Sequence, residues 1–163
     1  MTATVSPDVI IYVCHRSIPS GAPLPRQWQQ NGVRVVVHEV PCSGKMDGQY
    51  LMHALEGGAC GVCVISCPKG ECRLGQGNYR AEIRIRTIRR LLGEVGLEGE
   101  RAEQFFFSAD DSRGQFDQII HGFVERICAL GKSPISIERP SPPPLSQKEG
   151  GELYNKSIES NKS

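Results

Sequence analysis

Three short apolar runs in this chain each end at a cysteine. Residues 9–13 (VIIYV) are followed by Cys14, residues 33–40 (VRVVVHEV) by Pro41 and Cys42, and residues 61–66 (GVCVIS) by Cys67. β-Branched runs of five to eight residues bounded by Gly, Pro and Ser read as strands. Their near-continuous apolar character predicts burial on both faces, as in a parallel sheet. A fourth run, 104–108 (QFFFS), reads the same way.

The segments between these runs carry helical patterns. After Cys42, Ser43-Gly44-Lys45-Met46-Asp47 reads as a helix start, Leu51, Ala54 and Leu55 give it an apolar side, and Gly57-Gly58 ends it. A long helix is predicted over 79–95, where Ala81, Ile85, Ile88, Leu92 and Val95 fall on one face and Arg80, Arg84, Arg86, Arg89 and Arg90 cover much of the rest. A last helix over 113–130 turns Phe116, Ile119, Ile120, Phe123, Ile127 and Leu130 inward and stops at Gly131. Between the first two strands a helix over 24–31 is kept short by Pro25. The alternation predicts an α/β domain: a four-stranded parallel sheet with right-handed crossovers and helices on both faces. That domain is expected to span 1–134. Residues 135–163 hold four prolines in a short span and no periodicity, which predicts a disordered tail.

Length and charge narrow the function classes. The 163 residues suffice for one domain with its own core. With 19 basic and 18 acidic side chains, bulk electrostatics predict neither nucleic-acid nor membrane binding. The first residues show no secretory pattern, and no apolar run approaches the roughly 20 residues of a membrane span. A cytoplasmic location is the expectation. Seven cysteines in such a chain argue, by their odd number, against a disulfide framework. Metal binding, catalysis and plain burial remain.

The strand assignments separate the cysteines into two groups. Cys14, Cys42 and Cys67 each follow a strand, so all three lie at the carboxyl edge of the sheet, where such folds bind ligands. Strands about 4.8 Å apart let three thiols converge. Cys72, in the turn after Cys67, can fold back beside it. Four thiols on one edge make a metal-site arrangement. Cys60 and Cys63 form a Cys-x-x-Cys, but Cys63 lies inside a strand, about 13 Å from Cys67 at roughly 3.3 Å per residue. Cys60, Cys63 and Cys128 read as buried small apolar residues.

Zinc and iron–sulfur clusters both accept four thiolates. Zinc usually staples domains too small to fold alone, which this one is not. Helix N-termini follow Cys42 and Cys72, and Gly44, Gly70, Gly75 and Gly77 allow close approach of N–H groups to an anionic group. Arg16, Lys45, Lys69 and Arg73 stand within a few residues of a thiol, facing it or forming solvated surface. Two further readings use the same cysteines: a zinc–thiolate interaction module, and an enzyme of sulfur or disulfide chemistry with Cys67 or Cys72 as its reactive thiol. No Ser/His/Asp set, phosphate loop or paired carboxylate site stands out. His38, His53 and His121 read as structural, and Asp110 and Asp111 as the entry turn of the last helix.

The stretches "PCSGKMD" and "ALEGGACGVCVISCPKGECRLGQGNYRAEIRIRTIRRLLGEVGLEGERAEQFFFSADD" resemble the delta subunit family of methyl-viologen-reducing hydrogenase, over about residues 8–132. The resemblance implies a [2Fe–2S] cluster. It also implies an electron relay between a hydrogenase or formate dehydrogenase and the flavoprotein subunit of a heterodisulfide-reductase-type complex. The chain departs from the family pattern twice. Ser17 stands where the family has the second cysteine of a Cys-x-x-Cys after the first strand, which raises Ser17 or His15 as a substitute ligand. Arg73 stands where the family has a histidine. The combined expectation is a flavodoxin-like domain holding one [2Fe–2S] cluster through Cys14, Cys42, Cys67 and Cys72, serving electron transfer within a larger complex and not catalysis.

Overall fold

The computed structural model describes residues 8–135. In chain order it comprises β1 (Asp8–Cys14), β2 (Gln27–Gln30), β3 (Val33–Val40), α1 (Gly48–Glu56), β4 (Ala59–Ser66), α2 (Gly77–Glu94), β5 (Ala102–Phe106) and α3 (Arg113–Leu130). Single 3₁₀ turns occupy His15–Ser17, Ser43–Lys45 and Gly99–Arg101.

The sheet has five strands in the order β2-β3-β1-β4-β5, not four. β3, β1, β4 and β5 are parallel as expected, but β2 runs antiparallel to β3 at the edge. The short helix expected over 24–31 is this strand. Its cause is local: Gln30 pairs with Val33 across Asn31-Gly32, whose φ angles are 51° and 81°. Positive φ at both central residues is the type I′ hairpin turn for which Asn-Gly is the preferred sequence. Counted among the parallel strands alone, the order is 2-1-3-4, as in a flavodoxin-like sheet, and it reverses between β1 and β4.

Side chains alternate across the sheet. From β4, Cys63 and Ile65 join Val9, Ile11, Val13, Phe116, Ile120, Phe123 and Ile127 in a core under α3. Val62 and Val64 point the other way, into a second core with Leu51, Leu55, Ala81, Ile85, Ile88 and Leu92 from α1 and α2. Every residue of β4 is buried, as its continuous apolar run predicts, and each large side chain there contributes about 1.5–3 kcal/mol.

Three details differ from the helical patterns. α1 begins at Gly48, with the Asp47 carboxylate accepting from Gln49 N–H at 3.3 Å; residues 43–45 form a separate 3₁₀ turn. Val95, expected inward, is 70% exposed, because α2 ends at Glu94 and Gly96 turns the chain with φ +80°. Ile119 and Leu130 are only partly buried, whereas Val124 is fully buried. α3 starts on a capping box between Ser112 and Gln115.

The amino edge of the parallel sheet is bolted by Arg101. Its guanidinium is 1% exposed and donates to Cys60 O at 2.9 Å, Gly131 O at 3.1 Å and Leu130 O at 3.4 Å, while pairing with Glu98 at 2.8 Å. It thereby satisfies carbonyls that the end of α3 leaves open. The tail expected over 135–163 lies outside the described residues except for Ile135, which packs against the α1–α2 core.

Candidate functional site

Four cysteines meet at the carboxyl edge. Cys14 is the last residue of β1, Cys42 lies two residues past β3, and Cys67 directly follows β4. These three strands are neighbours, with β1 in the middle. Cys72 returns to them through a turn closed by Glu71 N–H to Pro68 O at 3.0 Å. Cys67 interacts with Cys14 and Cys72, and Cys42 interacts with Cys72 and Cys14. The neighbour relations therefore form a ring, Cys14–Cys67–Cys72–Cys42. Among the described residues, no three Cys, His, Asp or Glu side chains stand close enough together to hold a single metal ion.

The loops that carry Cys42 and Cys72 are pressed onto the start of α2. A Cβ on Gly77 would collide with Cys42 Sγ and lie 3.1 Å from Gly44 Cα, so only glycine fits there. Gly77 N–H donates to Cys72 Sγ at 3.1 Å. Gln76, just before the helix, is held in the left-handed region at φ 60°. Arg84, on the arginine-rich face of α2, donates through Nη1 to Gly44 O at 2.6 Å and Met46 O at 2.7 Å. Asn78 is fully buried and donates through Nδ2 to Cys67 O at 3.0 Å and Pro68 O at 2.8 Å. Gln104 donates to Ser66 Oγ at 2.7 Å and Asn78 O at 3.0 Å, joining β5 to the same loop. Sequence reasoning missed Asn78, Arg84 and Gln104 as supports of the site. The Gly-Asn following the cysteine turn was their one visible signal.

The thiols differ in electrostatic surroundings. Burial pushes Cys67 up to about 12, and its neighbours Cys14 and Cys72 add to this. Burial also raises Cys42, partly offset by Gly44 N–H. Burial opposes ionisation of Cys72 too, but N–H groups of Leu74, Asn78 and Gly77, together with the Cys42 thiol, bring it down to about 7. Main-chain donors thus gather on Cys42 and Cys72, at the N-terminus of α2.

Other residues singled out in the sequence fall as follows. Arg16, Lys45, Lys69 and Arg73 are all exposed, and Lys69 pairs with Glu82 at 3.3 Å. His15 is exposed, whereas Ser17 is fully buried. Cys60 and Cys63 are buried in the sheet and Cys128 is half-buried on α3, away from the ring, as the strand and helix assignments imply. His38 stacks on Tyr12, His53 pairs with Glu56 and His121 meets Gln30. Asp111 accepts from Ser108 N–H in the turn before α3. Among the described residues, three buried side-chain oxygens lack a hydrogen-bond partner: Ser17 Oγ, Ser43 Oγ and Gln104 Oε1. The first two sit on the turns that carry Cys14 and Cys42. No helix of the described residues is long and apolar enough to cross a membrane.

Fold and site together define a doubly wound α/β protein whose ligand edge is furnished with thiols and main-chain N–H groups. The chain belongs to the family of the methyl-viologen-reducing hydrogenase delta subunit, whose model matches residues 9–131. It is 34% identical, over 79% of its length and 96% of the relative's, to the vhu iron-sulfur subunit of the F420-non-reducing hydrogenase of Methanococcus maripaludis. The counterpart of that relative in Methanocaldococcus jannaschii is 33% identical over 82% of this chain and all of the relative. The ferredoxin:CoB-CoM heterodisulfide reductase of Methanosarcina mazei has one polypeptide with a similar stretch, amounting to 16% of its length, at 29% identity over 81% of this chain.

Proposed function

We propose that this chain is a one-electron carrier that holds a [2Fe–2S] cluster through Cys14, Cys42, Cys67 and Cys72. The observation that carries the reading is the ring of four thiols at the sheet edge. A [2Fe–2S] group takes four thiolates, two at each iron, and when bound it supplies one-electron transfer. A zinc ion would also take four thiolates, at about 2.3 Å from one point, but the relatives named as iron-sulfur subunits favour the iron–sulfur group.

The residues present fit an anionic sulfur-bearing group. The Gly77 backbone lies flat against Cys42 Sγ where a side chain would intrude. N–H groups converge on Cys72 and Cys42, and two buried hydroxyls on the thiol-bearing turns have no partner within the described residues. Asn78, Arg84 and Gln104 hold the loops in place, and the flanking core keeps water from three of the four thiols. Cys72 is the least buried of the four, beside exposed Leu74 and Tyr79. That side of the ring offers partners the shortest approach.

The proposed partners are a hydrogenase or formate dehydrogenase on one side and a heterodisulfide-reductase-type flavoprotein on the other. Hydrogenase iron-sulfur subunits among the relatives support the first. A similar stretch inside a heterodisulfide reductase polypeptide supports the second. The site would then be a relay in the cytoplasm and not a place of bond-making.

The test is iron and acid-labile sulfide per chain, with a visible spectrum, on protein purified without oxygen. About two of each, with charge-transfer bands that bleach on dithionite, is the expected result. Zinc, or no metal after anaerobic reconstitution, would sink the proposal.

A further inference from the structure

Ser17 is fully buried, and its hydroxyl has no hydrogen-bond partner among the described residues. A buried hydroxyl left unpaired is costly, so such a group in a well-packed fold calls for a partner that the described chain itself does not supply. Its position says where that partner lies. Ser17 closes the 3₁₀ turn His15–Ser17, for which Cys14 is the N-cap. Ser17 is therefore only three residues along the chain from Cys14, on the turn that leaves its strand at the carboxyl edge. The same turn packs against β4, the strand that delivers Cys67. The main-chain donor that the structure shows on a thiol, Gly77 N–H to Cys72 Sγ at 3.1 Å, lies at the start of α2 and not on this turn.

We infer that Ser17 is a positioning residue of the thiol site, its Oγ–H donating a hydrogen bond to sulfur on the Cys14–Cys67 side of the bound iron–sulfur group. The inference rests on the function proposed above. Four thiolates already complete the ligand set of such a group, which leaves the hydroxyl to act as donor and not as ligand. Reduction adds negative charge to the sulfurs, so a donor there favours the reduced state and raises the potential. The exposed His15 has no such place.

The experiment uses the full chain, purified and reconstituted without oxygen, as wild type, Ser17→Ala and Ser17→Gly. Iron, sulfide and far-UV circular dichroism are measured first, then the midpoint potential by EPR-monitored titration. Hyperfine spectra of the reduced state are recorded in H₂O and D₂O. The expected result is that Ser17→Ala keeps its iron, sulfide and fold, shifts to a more negative potential, and loses one exchangeable-proton coupling seen in the wild type. Unchanged potential and couplings in Ser17→Ala would overturn the inference. So would loss of iron from a folded Ser17→Ala, which would make the oxygen a ligand. Should Ser17→Ala not fold, Ser17→Gly decides, since it also removes the hydroxyl and brings no new ligand atom. A more negative potential supports the inference and an unchanged one overturns it. A wild type that takes up no iron and sulfide overturns the iron–sulfur reading itself, an outcome distinct from a loaded wild type whose variants do not shift.

Discussion

Asn78 grips the Cys67 loop from inside the first turn of α2. Its Nδ2 bridges two successive carbonyls, and those carbonyls have no helix or sheet ladder to enter. Replacing it by leucine leaves the buried Cys67 O unpaired, while Pro68 O keeps only its bond from Glu71 N–H. The expected loss is about 1–3 kcal/mol of stability for the one stranded acceptor, read by urea unfolding of the full chain. His38 offers a pH-dependent counterpart away from the thiols. Partial burial against Tyr12 disfavours its charged form and places its pKa below the ordinary 6.5. The unfolded chain therefore binds this proton first as pH falls, and stability drains away from about pH 6.5 downward until the folded form also protonates. An NMR titration of His38 with its midpoint below 6.5, and a flatter stability profile in His38→Gln, are the expected observations. At this scale the thiols were legible and their supports were not. A cysteine at a strand end announces itself, whereas the partners of Asn78, Arg84 and Gln104 lie 10 to 40 residues away and exist only once the loops have closed.

The elements are legible in periodicity, and periodicity serves best where an element is buried on a defined face. α3 spans the predicted residues, and β4 is buried throughout as its composition demands. β2 escapes that reading because Gln27–Gln30 has neither an apolar run nor strict alternation. Its signal is the Asn-Gly turn, a property of two residues and not of a window. The contact between the Cys42 loop and α2 likewise depends on the absence of side chains. In Gly77→Ala the new methyl group meets the Gly44 backbone, which has no rotamer to change, and Cys42 Sγ, which can turn aside only by leaving its place among the thiols. The expected outcome is a folded protein by circular dichroism with at least half its iron and sulfide lost on anaerobic reconstitution. Alanine at Gly93, with open space around it, should keep the full amount.

At the scale of the whole molecule, the two-sided core makes the carboxyl edge a platform separate from the stabilising interior. Cys60, Cys63 and Cys128 belong to that interior or its flank. Serine at Cys14, Cys42, Cys67 or Cys72 should abolish or sharply reduce iron binding while the chain stays folded. Serine at Cys60, Cys63 or Cys128 should leave the iron-to-protein ratio at the wild-type value, with Cys63→Ser the most destabilised because it sets a hydroxyl inside the dry core. Equal iron loss across both sets would contradict the assignment. The convergence was legible because parallel strands share a carboxyl edge. The ring that the thiols form there was not, since it depends on how far two loops fold back.

Arg101 gives the domain mechanical polarity. It ties β4, β5 and the end of α3 together at the pole opposite the thiols, so that pole is a fixed base, whereas the loops at the other are held by Asn78, Arg84 and Gln104 around the site. Emptying the site should therefore loosen one end of the molecule and leave its footing untouched. Hydrogen exchange will show this as protection lost over residues 67–77 and retained around Arg101 in the metal-free chain.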